Sequence, residues 1–222
     1  RQSVETGVFH PIEEVPGVID YLDPAQAQAE IDYTFVQHEH ADARILCFTN
    51  SKVNGFNAYI RGERNLPPQF TVGEWVISNA ATKLRDASKQ SLRIEQEVRI
   101  LSKGEPFIYD INGNAGSLEV RNVQTSGGVV MIAEDSIALE ELKRFFSRNK
   151  KWVPFFNLKE NFADLRPRDA CTAYKAQGST YHTDIGSCNI TSQAARMLYV
   201  ACSRPTDRIC FIGNLPPKYR GG

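Results

Sequence analysis

The chain has 222 residues, 41% apolar and 23% charged, with 26 Lys and Arg set against 26 Asp and Glu. That length suits one large domain or two small ones, and the composition is that of an ordinary globular protein. Zero formal net charge excludes a global polycation, so any contact with nucleic acid must come from a local patch. Cysteines at 47, 171, 188, 202 and 210 form no CxxC pair and are odd in number. Several sit in apolar runs, which points to a reducing, cytoplasmic setting rather than a disulfide framework or zinc site. No apolar run approaches ~18 residues, so no membrane span is expected. The opening residues do not resemble a signal peptide, and without an initiator Met the chain reads as a fragment of something longer.

In chain order, Asp23 as N-cap and Pro24 at the first helical position predict a helix from Pro24 to about Val36. Arg44-Ile45-Leu46-Cys47-Phe48-Thr49 is an apolar run of buried-strand type that ends in the polar turn Thr49-Asn50-Ser51. Val53, Phe56, Asn57 and Ile60 then recur at helical spacing, with Gly62 as C-cap. Strand, polar turn and helix are the unit of an α/β sheet. From Phe70 to about Ala133 the runs VGEWVIS, LRIEQEVRIL, PFIYDI, SLEVRNVQT and GVVMIA are β-type. They are punctuated by Lys103-Gly104, Asn112-Gly113-Asn114 and Gly127-Gly128, which predicts a small barrel or curled sheet. Residues Ala80 to Ser91 read as a loop or hairpin tip. Helical texture returns from Glu134 to Leu165, and Pro154 divides it into two helices. CTAY and TDIGSC read as buried strands, SQAARMLYVACS as a helix and RICFIG as a final strand. Two α/β pieces, 1–66 and 166–222, are therefore expected to share one sheet, with a small β-barrel and its following helices inserted at 67–165.

Two signatures dominate the last part of the chain. Tyr174-Lys175-Ala176-Gln177-Gly178-Ser179-Thr180 supplies small donors and a glycine at a strand end. Leu198 to Arg204, LYVACSR, delivers an arginine at the end of an apolar helix. Together they are what phosphate handling asks for. AYKAQGSTY resembles motif V, and LYVACSR motif VI, of superfamily 1 DNA helicases of the Dda and RecD type. CFTNSKVNGFNAYIR is similar to the family's FTN strand-turn-helix. FTVGEWVIS is similar to the first strand of the SH3-like barrel in the second motor domain, and the Trp152 to Phe162 aromatics to the segment before motif V. Tyr174 stands where the family has His, and Ser203 where it has Thr. No GxxxxGK[ST] occurs in the sequence, so a phosphate-cradling loop is lacking. Val129 to Asp135, which looks like an acidic metal-binding strand, reads instead as a barrel strand leading into a helix cap.

The resemblance implies a RecA-like (P-loop NTPase-type) parallel-sheet domain with an inserted SH3-like barrel, forming the C-terminal half of an ATP-dependent helicase moving 5′ to 3′. It implies an arginine finger at Arg204, ATP contacts from Arg1, Gln177, Gly178 and Arg204, and DNA contacts from Thr49, Asn50, Lys175, Ser179 and Thr180. Lys175 to Thr180 and Arg204 would form one wall of a nucleotide site whose ATP and Mg2+ are held mainly by a missing N-terminal motor domain. The isolated chain is then expected to be inactive. Single-stranded DNA and replication or recombination proteins are the implied partners, with no membrane and no metal site in this chain. Plainer roles stand beside these. Arg204 could pair with an acidic neighbour, Thr49 could cap the next helix, and Ser179 or Thr180 could cap a turn. Trp75 and Tyr109 are either base-stacking or core aromatics, and His38-Glu39-His40 reads as a solvated loop. The alternative to a motor is a non-catalytic nucleic-acid- or protein-binding module on a helicase-like scaffold.

Overall fold

A computed structural model of the chain describes residues 11–38, 42–86, 90–111, 116–175, 181–187 and 194–213. In chain order the elements are β1 (Ile19–Leu22), α1 (Pro24–Ile31), β2 (Ala43–Cys47) and α2 (Asn50–Glu63). There follow β3 (Trp75–Ser78), β4 (Thr82–Lys83), β5 (Ser91–Leu92), β6 (Glu97–Asp110), β7 (Ser117–Thr125) and β8 (Gly128–Ala133). The chain continues with α3 (Ser136–Arg148), α4 (Trp152–Asn161), β9 (Leu165–Pro167), β10 (Ala170–Thr172), β11 (Tyr181–Ser187), α5 (Ala194–Cys202) and β12 (Pro205–Ile212). The protein is mixed α/β and divides into two compact units, residues 1–66 with 169–222 and residues 67–168. Among the described residues no helix is long and apolar enough to cross a membrane. The four described cysteines, Cys47, Cys171, Cys202 and Cys210, are unbridged.

The first unit is built on a five-stranded sheet ordered β1-β12-β11-β2-β10, with every neighbouring pair parallel. Every residue of β2 is buried, as a strand covered on both faces must be. Ile45 and Cys47 join α1 and α2 residues Ile31, Val53 and Ile60 in one core cluster. Leu46, between them, packs with Ala201 of α5 on the other face. Asp23 and Gln26 form a capping box at the start of α1. The helix then passes into a six-residue π-helical turn, Asp32–Gln37. Strand β1 carries no local signal of its own. Four residues give too little pattern, and their partner in β12 is far away in sequence, with Ile19 opposite Ile209.

Two polar devices hold this unit. Ile45 N–H donates to the Asp169 carbonyl and Ala173 N–H to that of Cys47, so the odd-numbered residues of β10 face β2 and Ala170 faces the open edge. Buried Asn57 on α2 satisfies both of its backbone groups. The amide accepts from Ala170 N–H at 2.9 Å and donates to the Ala170 carbonyl at 3.3 Å. At the other edge, Arg208 on β12 donates to Asp20 of β1 at 2.7 Å and to Glu30 of α1 at 2.8 Å. Burial alone would raise the Asp20 pKa, but Gly17 N–H and the Arg208 guanidinium outweigh it and hold it below 3.8.

The second unit has a five-stranded sheet ordered β8-β7-β6-β3-β9, antiparallel throughout, and a small β4–β5 hairpin. β6 is 14 residues long and carries two cores. Val76, Leu92, Val98, Ile100, Val123 and Val130 pack at one end. Leu118, Val120 and Met131 meet Leu139, Phe146 and Leu158 from α3 and α4 at the other. Lys103-Gly104 does not turn the chain as expected. β6 runs through it, and register shifts between Ile100 and Ser102 and between Lys103 and Pro106 accommodate a proline that cannot donate to the ladder. LRIEQEVRIL is instead broken at Glu95, which adopts φ 60°. Gly128 closes the β7–β8 hairpin at φ 123°, a backbone conformation that favours glycine. The break between α3 and α4 falls at Lys150, with φ 55°, not at Pro154. That proline lies in the first turn of α4, where a missing N–H costs nothing. β8 runs into Asp135, whose carboxylate caps α3 by accepting from Ile137 and Ala138 N–H, and Glu134 pairs with Arg121 at 2.5 Å.

Asn57→Ala strands two buried backbone groups, so a urea titration should show the first unit less stable by about 2 kcal/mol. For Asp20, the folded pKa lies below the unfolded one. Its contribution is therefore present above about pH 4 and is lost as the pH falls below that. Thermal melts of Asp20→Asn should show a loss at pH 7 that shrinks at pH 3.

Candidate functional site

The C-terminal edge of a parallel sheet is where side chains and loop N–H groups can meet a ligand. Strands β2 and β10 are neighbours in register, with Ala170 opposite Ile45 and Thr172 opposite Cys47. They therefore deliver their following turns, Phe48–Asn50 and Ala173–Lys175, side by side. Thr49 and Asn50 are both exposed. Thr49 is the N-cap of α2, its Oγ1 accepting from Lys52 N–H at 3.3 Å, and Asn50 is the first helical residue. Phe48 anchors the turn beneath, packing near Leu198 and Phe211. Across from it, Lys175 N–H donates to the Thr172 carbonyl at 2.9 Å, Tyr174 is 72% exposed and Lys175 is half-buried. A lysine and the positive end of a 14-residue helix thus share one edge, an arrangement that favours an anion such as a phosphate. The Asn57 bonds to Ala170 fix the spacing of the two turns.

Arg204 lies elsewhere. Helix α5 buries Leu198 and Ala201, and Arg204 follows it, its N–H donating to the Ala201 carbonyl at 3.2 Å and its Nε to the Val200 carbonyl at 3.3 Å. These bonds cap the helix and orient the guanidinium, a common service of arginine at a C-terminus. Arg204 immediately precedes β12, whose Pro205 is in register with Tyr181 at the start of β11. It therefore stands at the N-terminal edge of the sheet. Five residues of β2, at ~3.3 Å each, set a height of about 17 Å between the two edges. The described residues bring Thr49, Asn50 and Lys175 together and leave Arg204 at the opposite edge. Arg1, Gln177, Gly178, Ser179 and Thr180 lie outside the described residues, as do Glu39 and His40.

Reasoning from sequence missed the polar support behind this edge. Asn57 reads as one more helical position, and its role appears only when α2 is laid against β10. Arg64, at the end of α2, reaches the Phe35 carbonyl at 2.8 Å through Nε and Asp169 at 3.3 Å through Nη2, holding the approach to β10. Tyr59 donates to Asp32 at 2.6 Å, and that hydrogen bond, with burial behind it, pushes its pKa up to about 12. In the second unit Trp75 is 40% exposed with the Arg168 guanidinium 5.6 Å from its ring centre. Tyr109 packs edge-on against Phe162 at 5.4 Å and is a core aromatic. The His38 ring lies 4.1 Å from that of Tyr33, tilted by 41°, and contacts the Tyr33 carbonyl through Nδ1. Among the described residues no group of three or more His, Cys, Asp or Glu could hold a metal ion. Thr49→Ala should cost about 1 kcal/mol through the lost cap, with Thr49→Ser close to neutral. Amide exchange at Lys52 and Val53 checks it.

No protein-family model matches the sequence, and no curated protein matches it. Among solved structures the chain is similar to a Pif1 helicase from Bacteroides, in complex with ADP-AlF3 and single-stranded DNA. The TM-score is 0.45 and the identity 16%, over 88% of this chain and 46% of that one. It is also similar to Pif1 helicase from Candida albicans, with a TM-score of 0.44 and 11% identity over 90% and 51% of the two chains. The chain spans about half the length of these proteins.

Proposed function

We propose that this chain is the C-terminal portion of a superfamily 1 ATP-dependent DNA helicase of the Dda and RecD type, moving 5′ to 3′ along single-stranded DNA. The first unit is its second RecA-like motor domain, and the second unit is an SH3-like insert with a helical hairpin. The observation that carries the reading is the juxtaposition of the Thr49-Asn50 and Tyr174-Lys175 turns on neighbouring parallel strands. Two sequence signatures more than a hundred residues apart meet at one sheet edge and present a helix N-terminus and a lysine to a phosphate backbone. Such contacts position a strand without reading its sequence.

Nucleotide chemistry is assigned to the opposite edge. Arg204 reaches, in this reading, the γ-phosphate of ATP held with Mg2+ mainly by a first motor domain outside this sequence, and Arg1, Gln177 and Gly178 contribute further contacts. A guanidinium stays charged and planar in a partly buried place, so it stabilises charge that develops on the transferring phosphoryl group. In this reading the 176–180 segment couples nucleotide state to the grip on DNA, with Ser179 and Thr180 as DNA contacts. Replication or recombination proteins are the expected partners of the whole enzyme.

In the whole protein, Arg204→Ala should lower ATP turnover on the order of 10³-fold or more and leave the affinity for single-stranded DNA within a few-fold of wild type. Turnover retained within tenfold overturns the finger assignment. The 222-residue chain alone should show no DNA-stimulated ATP hydrolysis, and a measured turnover by it would sink the proposed division of the nucleotide site.

A further inference from the structure

The helical hairpin of the second unit carries apolar surface that its own core does not use. Phe146 and Leu158 are buried, whereas Phe145, Trp152 and Phe156 are 49%, 50% and 48% exposed and Val153 is 75% exposed. Trp152 and Phe156 are one turn apart on α4, with ring centres 6.5 Å apart and planes inclined by 37°. Lys159, also exposed, continues the same line of the helix. Lys151 Nζ lies 5.8 Å from the Phe145 ring centre, placing a cation on the aromatic surface.

The charge is as one-sided as the surface is aromatic. From Leu142 to Lys159 there are six Lys and Arg and no Asp or Glu, in a protein of zero net charge. Arg144, Arg148, Lys150 and Lys151 are all exposed. Of the acids that flank the run, Glu140 is bound to Lys143 and Glu160 to Lys83, while Glu141 lies one turn before Phe145. A basic surface interleaved with half-exposed rings asks for a polyanion that also offers flat apolar faces. Single-stranded nucleic acid does both, whereas a duplex keeps its base faces stacked inside and leaves the rings nothing to cover them.

We infer that this face of the α3–α4 hairpin binds single-stranded nucleic acid, with bases stacked on Trp152 and Phe156 and phosphates on Arg148, Lys150 and Lys151. The inference uses no residue of the first unit and stands whether or not the chain belongs to a helicase.

The test uses the full 222-residue chain and a fluorescent oligothymidylate of about 20 nucleotides, longer than the ~4–16 that one compact binding module covers. Trp152→Ala with Phe156→Ala should weaken binding at least about tenfold at an unchanged melting temperature. Arg148→Glu with Lys151→Glu should weaken it too and reduce the salt slope by roughly 1.4, two phosphate contacts at about 0.7 each. This second variant keeps the test decisive if the aromatic one fails to fold. Trp152→Phe should keep the affinity and lose the binding-induced quenching of tryptophan emission. Affinities within twofold of wild type in both double variants overturn the inference. So does equal affinity for a duplex of the same length, or binding lost in Lys175→Ala but kept in the hairpin variants.

Discussion

The first unit is stitched from two chain segments that part at residue 66 and resume at 169, and one side chain closes the seam. β10 is three residues long and sits at the end of the sheet, where its outward N–H and C=O would be unpaired. Asn57 occupies the place of a further strand and takes both groups of Ala170. An unpaired buried amide group costs on the order of 1–3 kcal/mol, so a strand this short depends on that service. The Tyr174-Lys175 turn, which directly follows β10, is placed by a strand that this contact secures.

The same geometry separates two kinds of chemistry. Parallel strands put all their C-terminal ends on one side, so the turns after β2 and β10 come together by topology. Arg204 precedes a strand, and topology sends it to the other side. A motor of the proposed kind needs its nucleotide contacts and its DNA contacts apart but mechanically joined, and a stiff sheet covered by helices on both faces is a suitable joint. The structural duties of the same residues do not compete with this. Thr49 caps α2 and Arg204 caps α5, and each cap orients the group that the proposed function uses.

The second unit follows a different economy. Its long bent β6 serves two cores, and the α3–α4 hairpin closes one of them by its inner face alone. The outer face keeps rings in water, and the run from Leu142 to Lys159 carries six Lys and Arg with no Asp or Glu of its own. A surface of this kind is costly to leave bare, which is why it marks a place where something binds.

The sequence by itself determined the elements whose signals are local. α1 is announced by Asp23-Pro24, the α2 segment by Thr49 and the spacing of Val53, Phe56, Asn57 and Ile60, and the β7–β8 hairpin by its paired glycines. It also singled out the two signatures, around Lys175 and before Arg204, to which the proposed function assigns phosphate contacts, because residue type and spacing are local. It did not reveal β1, the continuity of β6 through Gly104, or the α3–α4 break at Lys150. Those depend on partners distant in sequence or on backbone conformations that no residue type dictates. The tertiary structure alone decided that Asn57 is a sheet-edge clamp, that the Thr49 and Lys175 turns are neighbours, and that Arg204 stands at the opposite edge of the sheet. Composition and spacing describe a chain one residue after another, and strand order is a property of pairings between residues far apart in it.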